Sequence, residues 1–183
     1  MMSLDLVAMT RFRKLTDTRG SRETLTCSAL VEKLSRPHTY QPSQLERDDR
    51  DVTKWKKPRD LPGYSLATFR KEHRALVDVE NVYALTLDYD DGKTEVATAA
   101  ELWKGIRGVI LSSFNTTAAH PRFRVHLFLS RAVTSVEHEA LWLWANVRAS
   151  AAGQKLDPAP KDASRFWYAP AIVEGERFDF LQL

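Results

Sequence analysis

The chain has 183 residues, 43% hydrophobic and 28% charged, which is the length of one ordinary domain and the composition of a globular rather than a disordered or fibrous protein. A net charge of +3 permits nucleic acid as a partner without demanding it. The single cysteine, Cys27, excludes an internal disulfide framework and a cysteine-based zinc site, and the absence of a membrane-length apolar run or a signal-peptide pattern predicts an intracellular, cytoplasmic protein with no membrane partner.

In chain order, residues 4–13 read as a first strand, followed by a polar turn around Asp17 to Gly20. Ser28 to Leu34 reads as a short helix ending before Pro37, with Cys27 at its start as a small buried hydrophobe. Thr39 to Pro62 is polar, contains three prolines and reads as a long loop. Ser65 to Arg74 suggests a short helix, and Val82 to Asp90 is the strongest strand. Thr98 and Glu101 have capping-box spacing for a helix through Trp103, stopped by Gly105. Arg107 to Phe114 and Arg122 to Leu129 read as strands. Thr134 and Glu137 open a second capped helix to about Ala149, with Val136, Ala140, Leu143, Trp144 and Val147 as its apolar positions. Arg165 to Ala169 and Arg177 to Leu183 complete the strands, with Glu174-Gly175 as a hairpin turn. Helices interspersed with hairpin-paired strands predict an α+β fold with a mixed or antiparallel sheet.

The run Val82 to Tyr89 leads into Asp88-Tyr89-Asp90-Asp91-Gly92. Alternation along a strand puts Asp88 and Asp90 on one face, about 7 Å apart at the backbone. Two carboxylates so placed repel unless a cation lies between them, and oxygen ligands at that spacing suit Mg²⁺ or Mn²⁺. The same residues also make an ordinary turn, because Asp and Gly are favoured there. One reading is therefore a metal-dependent phosphoryl-transfer site, the other a strand end.

Two further groups bear on the choice. In the strand from Arg122, alternation places Arg122, Arg124, His126 and Phe128 on one face, with Phe123, Val125, Leu127 and Leu129 towards the core. Arginine's planar fork suits phosphate oxygens, and histidine can donate to the same anion. Such a stripe can also be an exposed sheet face carrying solvated charge. Downstream, Asp157 precedes Pro158 and is held extended. Prolines stiffen this stretch and would fix a third carboxylate near the first two, whereas Asp162 has the setting of a turn former. Arg165 could reach phosphate or pair with Asp162. In the loop, Lys54-Trp55-Lys56-Lys57 combines cations with an aromatic, a pattern that suits single-stranded nucleic acid as well as a solvated loop.

With these groups in this order, the chain resembles the archaeo-eukaryotic primase superfamily, and most the primase-polymerase domains of phage and plasmid replication proteins. Its first motif is matched by Asp88 and Asp90, its second through His126, with Arg124 where the family has serine, and its third by Asp157 with Arg165 downstream. Ser65 to Phe69, His120 to Val125 and Asp162 to Phe166 also resemble the phage branch. The resemblance implies one catalytic domain over 1–183, with an N-terminal α/β part over 1–80 and an RRM-like core over 81–183. It also implies template-directed nucleotidyl transfer, a DNA primase-polymerase activity. Two Mg²⁺ or Mn²⁺ ions would be held by Asp88, Asp90 and Asp157, and the incoming nucleoside triphosphate by His126, Arg124, Arg122 and Arg165. The implied partners are a single-stranded DNA template and a helicase or C-terminal accessory domain outside this chain.

The alternatives differ in class. A non-catalytic DNA-binding module of a replication initiator would use the arginines and the aromatic loop but has no need of paired acids. A rolling-circle nuclease needs two metal-binding histidines on one strand, and His126-Leu127-Phe128 has one. A metal-dependent phosphoesterase would release phosphate instead of extending a chain.

Overall fold

A computed structural model describes residues 5–183, except for the side chains at 52 and 53. The strands are β1 (Leu6–Phe12), β2 (Ser21–Thr26), β3 (His38–Tyr40), β4 (Arg47–Asp48), β5 (Asp51–Trp55), β6 (Gly63–Ser65), β7 (Ala67–Phe69), β8 (Val79–Tyr89), β9 (Gly108–Ser112), β10 (Phe123–Val133), β11 (Trp167–Tyr168), β12 (Ala171–Val173) and β13 (Phe180–Gln182). The α-helices are α1 (Cys27–Leu34), α2 (Val96–Trp103) and α3 (Ser135–Ala151). Helix, with the short 3₁₀ turns included, and strand make up 25% and 37% of the chain, and the sheets are largely antiparallel, so the fold is α+β. Among the described residues, no helix is long and apolar enough to cross a membrane.

The central sheet has the order β13-β9-β10-β8-β7, antiparallel throughout. β10 lies between β8 and β9, so β8-α2-β9 is a split β-α-β unit with β10 inserted as the hairpin return, the heart of an RRM-like or ferredoxin-like core. Such a unit would bring its last strand back beside its first. Here β7 occupies the free edge of β8, and the last strand, β13, joins β9 instead.

Both faces of this sheet are covered. Leu85, Leu87, Phe123, Val125 and Leu127 pack with Trp103 of α2 and with Trp142, Ala145 and Ala149 of α3. The opposite face meets a second sheet, β11-β6-β1-β2, together with α1, through Ala84, Val109, Leu111, Phe128, Met9, Tyr64 and Trp167. Cys27 is buried in this second layer, and burial pushes its thiol pKa up. Thr26 caps α1 by accepting from the Ala29 amide, as Thr134 caps α3 from Glu137.

Several sequence expectations change. The first strand begins at Leu6; Leu4 lies outside the described residues. Of residues 65–74, only Arg70–Glu72 is helical, as a single 3₁₀ turn: Gly63–Ser65 pairs with β1, and Ala67–Phe69 pairs with β8. The segment steps from one sheet to the other at Leu66, with every residue from 63 to 69 buried, and two-sided burial of Tyr64, Thr68 and Phe69 favours extended backbone over a helix. The loop from 39 to 62 contains the β4–β5 hairpin, and β3 pairs in parallel with β12. Glu174-Gly175 is a turn, with Gly175 at φ +86°, but β12 and β13 leave it for different partners, β3 and β9, so no hairpin forms. Helix α2 starts at Val96 with Glu95 at its N-cap, two residues before Thr98.

The face of α3 is also rotated. Its buried positions are His138, Trp142, Ala145 and Ala149, while Val136, Leu143, Trp144 and Val147 are exposed. Both sets follow helical spacing. The set with two alanines wins because small side chains let the helix lie close on Leu85 and Leu87. Trp142→Ala is therefore expected to destabilise the fold by about 3–5 kcal/mol. Val147→Ser should change stability by no more than about 0.5 kcal/mol, both read from urea unfolding.

Candidate functional site

The site is a cleft of about 440 Å³ at the ends of β8 and β10. Asp88 lies near the end of β8, and Asp90 is the first residue beyond it. The Asp157 amide donates to the Asp88 carbonyl at 2.9 Å, which brings the segment after α3 alongside that strand end. Asp157 Oδ1 accepts from the Ala159 amide at 2.8 Å, fixing its side chain within its own turn. All three carboxylates line the cleft.

The cations come from elsewhere in the chain. Arg124 is the cross-strand partner of Asp88, its Nε 3.8 Å from Asp88 Oδ1. That distance is too long for a hydrogen bond, and both atoms are buried with no hydrogen-bond partner. Arg124 Nη1 donates to the Tyr168 carbonyl at 3.1 Å, and its guanidinium lies 5.1 Å from the Trp167 ring centroid. Arg122 Nη1 is 3.1 Å from Asp90 Oδ1, and its Nη2 is 3.1 Å from His120 Nε2. A Cβ at Gly92, where φ is +69°, would come within 2.2 Å of the His120 ring, so the turn after Asp90 needs glycine for both space and conformation. Lys57, just past β5, also lines the cleft, its Nζ 5.0 Å from the Tyr168 ring centroid.

Burial, then repulsion from Asp90 and Asp157, raises the Asp88 pKa, against the opposing pull of Arg124 and Lys57. Burial and the neighbouring Arg124 lower Lys57 to about 8, despite Asp88 and Asp90. The three carboxylates and these cations thus form one interacting set. An all-oxygen donor group with an unbonded buried oxygen on Asp88 has the chemistry that Mg²⁺ or Mn²⁺ prefers. Among the described residues, however, no three His, Cys, Asp or Glu groups are arranged to hold a metal ion, since Asp90 faces Arg122 and Asp157 caps its own turn.

His126 does not line the cleft. It is fully buried one step below Arg124 on the same face of β10, with Thr86 Oγ1 2.8 Å from Nδ1 and Tyr64 Oη 2.9 Å from Nε2. Both ring nitrogens are taken, so the direct contact with a nucleotide expected of this residue is replaced by a bridge between the two sheets. The second sheet covers the polar stripe, which is why the stripe is neither exposed nor wholly aimed at a ligand. Arg165 does line the cleft, and Asp162 makes the expected turn, its Oδ1 accepting from Ser164 N at 2.8 Å and Ser164 Oγ at 2.7 Å.

Of the basic loop, Lys57 alone reaches this cleft. Lys54 pairs with Asp51, Lys56 with Asp49 and Glu46, and Trp55 lies under the Arg47 guanidinium, 3.5 Å from its ring centroid. Asn115 holds the loop in place, accepting from the Trp55 amide and donating to its carbonyl, both at 3.1 Å. Sequence reasoning missed Arg74, Asn115 and Tyr168 as cleft residues. A signal for Asn115 existed in its place a few residues before His120 to Val125, a stretch that carries the resemblance. Arg74 had none, since only the tertiary fold brings it in.

Burial, with Arg124 as a lesser cause, lowers the His126 pKa from 6.5 to about 3. The unfolded chain therefore takes up this proton at a pH where the folded chain does not. The stabilisation is complete above about pH 6.5 and is lost as pH falls from there towards 3. Exchange of His126 for Gln should remove up to one proton's worth of slope in that window, about 1.4 kcal/mol per pH unit, measured by urea unfolding from pH 7 to pH 4.

No curated protein and no solved structure matches the chain. The model of one family, described as the VapE N-terminal domain, matches residues 4–182, from the first strand to the last and across every residue of the cleft. The chain belongs to the VapE N-terminal domain family, whose members are associated with phage and plasmid replication.

Proposed function

We infer that this replication-associated domain is a primase-polymerase, a template-directed nucleotidyltransferase that joins nucleoside triphosphates on single-stranded DNA. The observation that carries the reading is the meeting, in one cleft, of Asp88, Asp90 and Asp157 with Arg122, Arg124 and Lys57. For a module that only binds nucleic acid, three carboxylates there carry a cost, because they repel phosphate.

In this reading Asp88, Asp90 and Asp157 would hold two Mg²⁺ or Mn²⁺ ions once Asp90 turns from Arg122 and Asp157 from the Ala159 amide. When bound, these would supply Lewis-acid stabilisation of the attacking 3′-oxygen and the departing pyrophosphate. The chain's own cations do the rest. Arg124 is fixed by the Tyr168 carbonyl and backed by Trp167, so its remaining N–H groups are preorganised for phosphate oxygens. Arg122 and Lys57 add charge where the leaving group gains it. His126 acts at one remove, as a positioning residue that holds β10 against Thr86 and Tyr64. The displacement goes directly from 3′-oxygen to phosphorus, and no side chain becomes covalently attached.

A second reading, a non-catalytic DNA-binding module of a replication initiator, is favoured by one observation. Asp90 and Asp88 already face arginines, as acids do when they serve to neutralise and orient cations.

Extension of a labelled primer on a single-stranded template, with nucleoside triphosphates and Mn²⁺ or Mg²⁺, separates the two. Metal-dependent growth is expected, abolished in Asp88→Asn and in Asp90→Ala while circular dichroism shows both variants folded. Tight DNA binding without metal and without growth in the parent protein would give the site to the second reading.

A further inference from the structure

A second hollow, of about 100 Å³, lies on the N-terminal sheet between β1, β6, the end of α1 and the start of β3. Its floor is apolar. Met9, Leu34, Tyr64 and Pro170 line it, and all four are buried in the fold. The Tyr64 hydroxyl is engaged by His126, 2.9 Å away, so that residue offers the hollow its ring and not its polar end.

The rim is basic. Arg11 on β1, Lys33 in the last turn of α1, Arg36 just past it and His38 at the start of β3 surround the opening. Among the described residues that line the hollow, none is acidic. Arg11, Lys33 and Arg36 share two carboxylates that stand outside it. Glu23 lies 3.5 Å from Arg11 Nε and 2.8 Å from Lys33 Nζ, and Glu32 takes Arg36. The cations of these pairs are exposed, and water and salt cancel most of such an attraction, so carboxylates arriving from outside can compete for them.

The size of the hollow decides what can sit there. Sites that enclose a nucleotide or cofactor run to roughly 300–1,000 Å³. The space here has room for one leucine or phenylalanine side chain. A nucleobase carries polar edge atoms, and the floor has no free side-chain donor or acceptor to meet them. An aliphatic or aromatic side chain needs none. A buried anchor within a charged rim is how one protein holds a short segment of another: the anchor supplies affinity, and the charges supply register and speed of encounter.

We propose that this hollow is a docking site for an acidic peptide of a partner protein, with one apolar side chain on Met9, Leu34 and Tyr64 and the flanking carboxylates on Arg11, Lys33 and Arg36. The peptide leaves the cleft open, because the two sites have no lining residue in common. They do share a wall. Trp167 and Tyr168 line the cleft, Ala169 and Pro170 line the hollow, and Tyr64 reaches from its floor to His126. A partner held here therefore stands behind Arg124, which is bonded to the Tyr168 carbonyl. The proposal does not depend on the nucleotidyltransferase reading.

The test is fluorescence anisotropy of the intact chain with a labelled synthetic peptide, a run of aspartates ending in one phenylalanine. The peptide is expected to bind at least about tenfold more tightly than one with alanine in place of the phenylalanine, or one with lysines in place of the aspartates. Its affinity should fall as salt is raised. Arg11→Glu and Arg36→Glu, both at exposed positions, should each weaken it about tenfold. Ala169→Leu enlarges a lining residue without changing charge, and should weaken it as much while circular dichroism shows the variant folded. No binding by the parent chain, equal binding of the phenylalanine and alanine peptides, or unchanged binding in both arginine variants overturns the proposal. So does a single-stranded oligonucleotide that displaces the peptide and itself loses about tenfold in both arginine variants, which would give the rim to nucleic acid.

Discussion

The contact between the two sheets at His126 is the constraint on which the cleft depends. An imidazole at the centre of a two-layer interface, with no access to water, is tolerated only if both nitrogens are satisfied. Thr86 on the neighbouring strand satisfies one and Tyr64 on the other sheet the second. These bonds set the register of β8 against β10 and the position of the second sheet over both. Arg124, two residues along, is thereby carried to Asp88 on one side and to the Tyr168 carbonyl on the other. Without the overlying sheet, Arg124 would have neither its carbonyl partner nor Trp167 beneath it.

Charge within the cleft is arranged by the same two layers. The central sheet contributes Asp88 and Arg124, with Asp90 and Arg122 at the ends of the same strands. Arg165, Tyr168 and Arg74 come with the second sheet and the loops beside it, and Lys57 with the β4–β5 hairpin. Asp88 is consequently an acid under opposed pressures: burial and two like charges against an arginine and a lysine. Such a group responds to any ligand that alters one of these terms. A cation and an anion held there together would help each other, because each would relieve the repulsion the other meets.

The local signals in the sequence were read well where one neighbour dominates. Strand alternation in Val82 to Asp90, the Thr134 capping box and the Gly92 turn depend on residues within a few positions of one another, and all three appear in the fold. The position of Asp88 and Asp90 at the end of β8 follows from the same logic. Failures arose where a distant element decides. Residues 65–69 are extended because they lie between two sheets, and the face that α3 buries is set by how closely alanines admit it to β8, not by where its largest apolar side chains stand. His126 was identified as important, but its role was inverted: alternation gave its face correctly and could not show that a second sheet covers that face. Arg74 has no motif at all, since its place in the cleft depends on two left-handed residues, Lys71 and Glu72, and on bonds to Thr18 and Gly20.

The step at Leu66 has a consequence for how the molecule comes into being. Ser65 and Ala67 are nearly adjacent along the chain yet belong to different sheets, and Tyr64 waits for Trp167, which lies 103 residues later. The N-terminal sheet cannot be finished until the chain has been made through Tyr168, and residues 1–80 cannot be excised from the rest with their edges satisfied. Folding that closes so late is slow, with long-range pairing bearing the entropic burden of the intervening loop. A ribosome-bound or truncated chain would hold Asp88 and Arg124 in a half-built groove. The cleft thus comes into existence only once the chain through Tyr168 has taken its place.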